Sequence, residues 1–228
     1  MKASLWALGF AVLFPLQVIA GWRLDGDSKY TPPTPVAKEL AVNTRTFHVT
    51  RDAAWSALVS YLAVHSFGID QVSKDSGLLT LKFSAQTPAD YIDCGLIKTW
   101  VSNMRGRRDY GFAGASASER YEFLESGKLY SNERFVTLSA GANVFVTSAG
   151  DTSSVRVNVR YVAHKRIIRH VPLDMDPPLL IESDITFNSG EVGSDSNGSG
   201  TQCLSTYRFE RELLDGVEKE IANQAPQK

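Results

Sequence analysis

The chain has 228 residues, 43% of them apolar and 21% charged, and its 24 basic and 25 acidic side chains give a formal net charge of -1. That is enough apolar material for one ordinary hydrophobic core. The near-neutral balance argues against a nucleic-acid binder, which needs a basic excess to neutralise phosphates, and no strongly charged tail is present.

Met1 and Lys2 open the chain with a short positive segment, and Ala3 to Ile19 is apolar apart from Ser4 and Gln17. Val18-Ile19-Ala20 places small or modest residues where a signal peptidase needs them, so residues 1–20 are predicted to be a signal peptide cleaved after Ala20. The apolar run is at the short limit for a membrane span and contains Pro15. No cysteine follows it directly, so the mature protein is expected in the periplasm without a lipid anchor.

Residues 21–37, with Pro32, Pro33 and Pro35, read as an extended lead-in to one domain over 38–225. Val42, Thr44, Thr46, Phe47 and Val49 form a β-prone run. The next segment predicts a helix capped by Thr50 or Asp52, with Trp55, Leu58, Val59 and Leu62 on one apolar stripe and Gly68 after its end. Ile69 to Val72 and Leu78 to Phe83 flank Ser73-Lys74-Asp75-Ser76-Gly77, which predicts a β-hairpin.

Tyr91-Ile92-Asp93-Cys94-Gly95 reads as a short strand or its end, and the Gly-, Ser- and Arg-rich stretch 102–120 as a flexible excursion. Two strands are expected over Phe135 to Leu138 and Asn143 to Thr147, before a turn at Ala149-Gly150-Asp151. Val155, Val157, Val159 and Tyr161 then alternate with Arg156, Asn158 and Arg160, the clearest strand in the sequence. Residues 172–200 form a second expected excursion, since they hold Pro172, Pro177, Pro178 and a Gly/Ser/Asp/Asn tract from Gly193 to Gly200. Cys203 to Tyr207 reads as a strand, and Phe209, Leu213, Leu214, Val217 and Ile221 define the apolar face of a final helix.

This order predicts an α+β fold: a single antiparallel sheet with two helices packed on one face, the helix-grip arrangement. Two cysteines in an exported chain allow one intramolecular pairing, so Cys94 and Cys203 are predicted to form a disulfide.

The segment from Phe47 through Trp55 and Leu58, followed by Gly68-Ile69 and Asp75-Ser76-Gly77-Leu78-Leu79, resembles the opening of BamC-like helix-grip domains in Gram-negative envelope proteins. The Tyr91–Gly95 stretch is similar to one in uncharacterised bacterial lipoproteins. The resemblance covers roughly fifty residues at the front of the domain and, weakly, the last helix. It implies an accessory or assembly role, with no catalytic residues to carry over. Those relatives are usually lipidated, and this chain lacks their N-terminal cysteine.

No catalytic or metal-binding set is legible. His48, His65, His164 and His170 show no HxxxH or HExxH spacing, so no metal or other cofactor is expected. Gly114-Ala115-Ser116-Ala117-Ser118 fails the nucleophile-elbow pattern at its last position. The pairs Asp90/Asp93 and Asp174/Asp176 read as solvated loop charges. In Lys165 to Arg169, Ile167 and Ile168 are expected to bury while the charges stay in water.

The remaining candidate is a partner-binding cluster of Arg105, Arg107 and Arg108 with Trp100 and Tyr110. The sequence therefore reads as a non-enzymatic periplasmic protein, acting by contact with an envelope protein partner in assembly or in a secretion-type apparatus. Peripheral membrane contact is compatible with this. The alternatives are a small-molecule or lipid binder and an enzyme acting on envelope polymers.

Overall fold

The alternation that marks Val155 to Tyr161 continues far beyond those residues. In the computed structural model, which describes residues 24–65, 67–172, 176–196 and 200–224, it belongs to a strand of 19 residues paired with one of 22. The expected signal peptide lies outside the described residues. In chain order the elements are β1 (Asp25–Thr31), β2 (Thr44–Phe47), α1 (Arg51–Val64), β3 (Gly68–Ser73), β4 (Leu78–Ala85), β5 (Ile92–Asp93), β6 (Leu96–Asn103) and β7 (Gly106–Ala113). They continue with β8 (Ser118–Glu125), β9 (Lys128–Ala149), β10 (Thr152–His170), β11 (Leu179–Asn188), β12 (Gly193–Ser194), β13 (Gln202–Ser205) and α2 (Arg208–Gln224).

β9 and β10 form an antiparallel ribbon in unbroken register from Thr152↔Ala149 to His170↔Ser131. At about 3.3 Å per residue such a ribbon is roughly 60–70 Å long, well beyond an ordinary strand. It is the spine of a seven-stranded sheet. Near its turn, β2 lies beside β10, and β4 with β3 beside β9. Near its open end, β11 takes over the β10 side and β8 the β9 side.

One face of the spine is inward throughout. Val136, Leu138, Ala140, Ala142, Val144 and Val146 of β9, and Val155, Val157, Val159, Tyr161 and Ala163 of β10, are all buried. Both helices pack on this face near the turn. Thr50 caps α1 by accepting a hydrogen bond from the Ala53 amide, and Ala54, Trp55, Ala57, Leu58 and Leu62 are buried. Phe209, Leu213, Leu214 and Val217 of α2 are buried, and the Phe209 ring stacks on Phe83 with centroids 4.2 Å apart. The helices meet at Gly216, where an added Cβ would stand 2.1 Å from the Tyr61 ring. Among the described residues, no helix is long and apolar enough to cross a membrane.

The expected single sheet with two helices is corrected: the strands divide among three sheets. β1, β6 and β7 form a separate three-stranded sheet, and β5, β13 and β12 form a second small one. Part of the lead-in, residues 25–31, is therefore a paired strand. The stretch 102–120 is mostly the end of β6, β7 and the start of β8, and 172–200 contains β11. The two strands expected between 135 and 147 are one continuous strand. The glycines of 106–113 do not break the strand: Gly106 (φ +100°) supplies the tight β6–β7 turn and Gly111 is simply a strand residue.

The Cys94–Cys203 disulfide is present, with both residues buried. It closes a separation of 109 residues and ties the end of β5 to the start of β13.

Candidate functional site

The structure divides the predicted cluster between two faces of the β6–β7 hairpin. The register Trp100↔Asp109 and Ser102↔Arg107 puts Trp100 and Arg107 on the outward face, where the Arg107 guanidinium carbon lies 4.1 Å from the Trp100 ring centroid. Arg107 also forms an ion pair with Asp109 at 2.8 Å. Arg108 and Tyr110 share the opposite face, and Arg108 binds Glu122 of β8 at 2.9 Å. Arg105 lies in the turn, exposed, its amide bonded to the Asn103 side chain. The five residues are neighbours, but two of the three arginines already have carboxylate partners. The cluster is not a free basic patch.

A more distinctive arrangement lies between this small sheet and the open end of the spine. Inward positions here are polar. Asn132 and Arg134 follow each other on the inward face of β9, at 1% and 2% exposure. Arg169 stands opposite Asn132 on β10, Ile167 opposite Arg134, and Tyr121 of β8 opposite Asn132 on its other side. Lys165, two positions before Ile167, is buried and ion-paired with buried Asp195. The inner face of the small sheet covers this floor. Its Thr99 hydroxyl donates to the Glu122 carbonyl at 3.1 Å and accepts from Ser28 at 3.0 Å. Phe112 packs on Tyr121 with centroids 4.9 Å apart. Gly26 permits the close approach of β1, since a Cβ there would lie 2.7 Å from the Trp100 carbonyl oxygen and 3.1 Å from Leu124.

Between the two layers opens a cleft of about 250 Å3 whose lining includes Tyr30, Thr99, Tyr121, Phe123, Asn132, Arg169 and Thr201. Tyr30 closes one end by accepting a hydrogen bond from the Gln202 amide at 2.8 Å. The Arg169 guanidinium is stacked on two rings, Phe123 at 4.9 Å and Tyr130 at 5.2 Å. Three polar atoms of the floor have no hydrogen-bond partner among the described residues: Asn132 Oδ1, Arg134 Nη1 and Arg169 Nε. Arg134 donates to the Gly114 carbonyl through its other terminal nitrogen. Burial holds its guanidinium below its usual pKa, partly offset by the fields of Tyr121, Glu119, Asp195 and Tyr30.

The expectation that the charges of Lys165 to Arg169 stay wet is corrected at Lys165, which has 4% exposure. Lys165 lies an even number of residues after Val155 on the same strand, β10, and so shares its inward face. Asp195, in the tract expected to be surface loop, is also buried. Nothing in that tract's composition distinguishes it. Asn132 and Arg134 lie on β9 ahead of the strand expected from Phe135, so no sequence signal marked them as inward.

A second buried polar group lies under α2. Glu210 has no exposure and accepts from the Tyr161 hydroxyl at 3.1 Å and from Ser189. Burial raises its pKa above the ordinary carboxylate value, against the opposing pull of these hydrogen bonds. Burial and the Glu210 charge together push the Tyr161 phenol strongly upward. This set is enclosed by helix and sheet and fastens one to the other.

The other sequence candidates remain apart. His48 follows β2, His65 ends α1 with its Nδ1 2.7 Å from the Tyr61 carbonyl, and His164 bonds Asp184 on the outer face of the spine. Asp90 pairs with Arg208, Asp93 accepts from the Gly95 amide, and Asp174 lies outside the described residues. No protein-family model matches the chain, and no curated protein matches its sequence.

Proposed function

We propose that this chain is an exported, non-enzymatic binding protein of the bacterial envelope, and that its binding site is the cleft between the small sheet and the open end of the spine. The observation that supports this most directly is the pairing of a cavity with buried, incompletely bonded polar side chains beneath it. Leaving a buried donor or acceptor unmade costs about 1–3 kcal/mol. Folded chains keep such groups where water or a ligand completes them. Export is supported by the apolar leader sequence and by the Cys94–Cys203 bridge. The interface between α2 and the sheet is a poor place for a ligand, because Leu213, Leu214 and Val217 fill it with at most 1% exposure.

The test is to purify the mature protein from its own compartment, denature it, and look for released small molecules by mass spectrometry. A compound should copurify with the wild type and not with Ser28→Trp, which places a large ring at the exposed lip of the cleft. Equal recovery from both proteins, or from neither, would refute the reading.

Contact with a protein partner is the second reading. It is favoured by β7, an exposed strand bonded to β6 on one side only, which leaves a row of backbone groups for an added strand. Cross-linking of the mature protein in periplasmic extract should then map to residues 106–113. Cross-links that avoid this strand would remove the second reading.

A further inference from the structure

Near the ribbon turn, the face of the spine turned away from the helices is open and polar. Register sets its rows. Arg160 stands beside Gly141, Asn158 beside Asn143 and Arg156 beside Phe145, all on this outward face. Two hollows of about 380 and 430 Å3 open here, and Asn158 lines both, so they form one groove along the strands. Gly141 deepens it, because a Cβ added there would meet nothing nearer than the Leu81 carbonyl oxygen at 3.9 Å.

The groove is rich in hydrogen-bond donors. Other outward cations of the sheet have carboxylates: Lys82 pairs with Asp70 at 2.9 Å, His164 with Asp184 at 2.7 Å and Arg166 with Glu182 at 3.7 Å. Among the described residues Arg156 and Arg160 have no ion pair, and both are exposed. The amide oxygens of Asn143 and Asn158 are already taken, accepting from Thr80 at 3.2 Å and from Asn43 at 3.4 Å. Their NH2 groups donate to no described residue and are left for a ligand. Phe145, half-buried, adds an aromatic ring to the lining.

We propose that this groove binds an acidic polysaccharide, its carboxylates received by Arg156 and Arg160 and its hydroxyl oxygens accepting from Asn143 and Asn158. The groove is separate from the cleft and does not rest on it. The two arginines are four positions apart on β10, roughly 13 Å at ordinary strand spacing. One carboxylate or phosphate cannot bridge that distance, whereas a chain with acids on successive sugar rings can reach both. A protein partner fits less well. The buried core of a protein interface is mostly apolar, and the groove turns one large apolar side chain outward, Phe145. The net charge of -1 is equally unsuited to a nucleic acid.

The experiment measures binding of end-labelled oligogalacturonate to the mature protein by fluorescence anisotropy at fixed ionic strength. Its methyl ester is the neutral control, poly-L-glutamate the acidic polypeptide and single-stranded DNA the nucleic acid. Oligogalacturonate should bind saturably, and more tightly than each of the three by about tenfold or more. This comparison needs no variant, so a misfolded mutant cannot hide the result. Arg156→Gln and Arg160→Gln, both at exposed positions, should each weaken binding by about threefold or more. Arg166→Gln removes the same charge outside the groove and should leave binding unchanged. Gly141→Val, which fills the hollow at constant charge, should weaken it. Absence of binding, or equal binding of acid and ester, would overturn the proposal. Polyglutamate or DNA binding as tightly as the sugar acid would overturn it too, as would an Arg166→Gln loss equal to that of Arg156→Gln.

Discussion

Replacing both cysteines by alanine tests how the two ends of the domain are held together. The bond spans 109 residues, and the chain-entropy model gives about 4–5 kcal/mol for a loop of that length. Domains are usually stable by only about 5–15 kcal/mol, so this one constraint is a large share of the whole. Its location increases its importance. Cys94 and Cys203 join strands of two residues and four residues, whose own pairing comprises Leu204↔Asp93 and Ser205↔Ile92. Gly114 also packs against Cys94, where a Cβ would stand 2.1 Å from the Cys94 carbonyl oxygen. The Cys94→Ala/Cys203→Ala variant should lose about 4 kcal/mol in urea unfolding and show a larger m-value, because its unfolded chain is no longer cross-linked. Both quantities come from one equilibrium titration followed by circular dichroism. A loss under about 1 kcal/mol with an unchanged m-value would show that the bridge does not restrain the unfolded state.

Glu210→Gln should flatten part of the pH dependence of stability. The native pKa is raised above its unfolded value, so the stabilising contribution is complete below about pH 4.5 and is lost as pH rises through the native pKa. The glutamine variant should therefore gain on the wild type between acid and neutral pH, as thermal melts from pH 4 to 8 would show; parallel curves would contradict this. Gly216→Ala should destabilise by about 1–3 kcal/mol despite the better helix propensity of alanine, because its Cβ meets the Tyr61 ring. Restored stability in a Gly216→Ala/Tyr61→Ala double variant, measured in urea, would locate the clash. Asp195→Asn removes the carboxylate paired with the buried Lys165 ammonium and should cost about 3–5 kcal/mol. A Lys165→Met/Asp195→Leu pair should recover much of that loss in the same assay, and no recovery would argue against the ion pair as the cause.

Much of the fold near the ribbon turn was legible in the sequence. The stripe of Trp55, Leu58 and Leu62 became the buried face of α1, although Val59 is 41% exposed. The alternation from Val155 to Tyr161 became the inward row of β10, and the predicted face of α2 is buried at Phe209, Leu213, Leu214 and Val217. The candidate cleft was not legible. Its predicted neighbours Trp100, Arg107, Arg108 and Tyr110 were found as a local cluster, yet the cluster is split by the alternation of β6 and β7. The cleft itself draws on β1, β6, β8, β9, β10 and the segment before β13. The sequence shows no local pattern that links these pieces.

By itself the sequence determined which side chains share a face and, with only two cysteines, which sulfurs could pair. Periodicity along one strand is enough for the first, and arithmetic for the second. Only the tertiary structure decided that Lys165 meets Asp195, that Arg134 is buried against the Gly114 carbonyl, and that the strands divide among three sheets. The reason is physical. A period of two residues fixes the side of a strand, but its neighbours are chosen by long-range register, and the fate of a buried charge depends on what those neighbours bring.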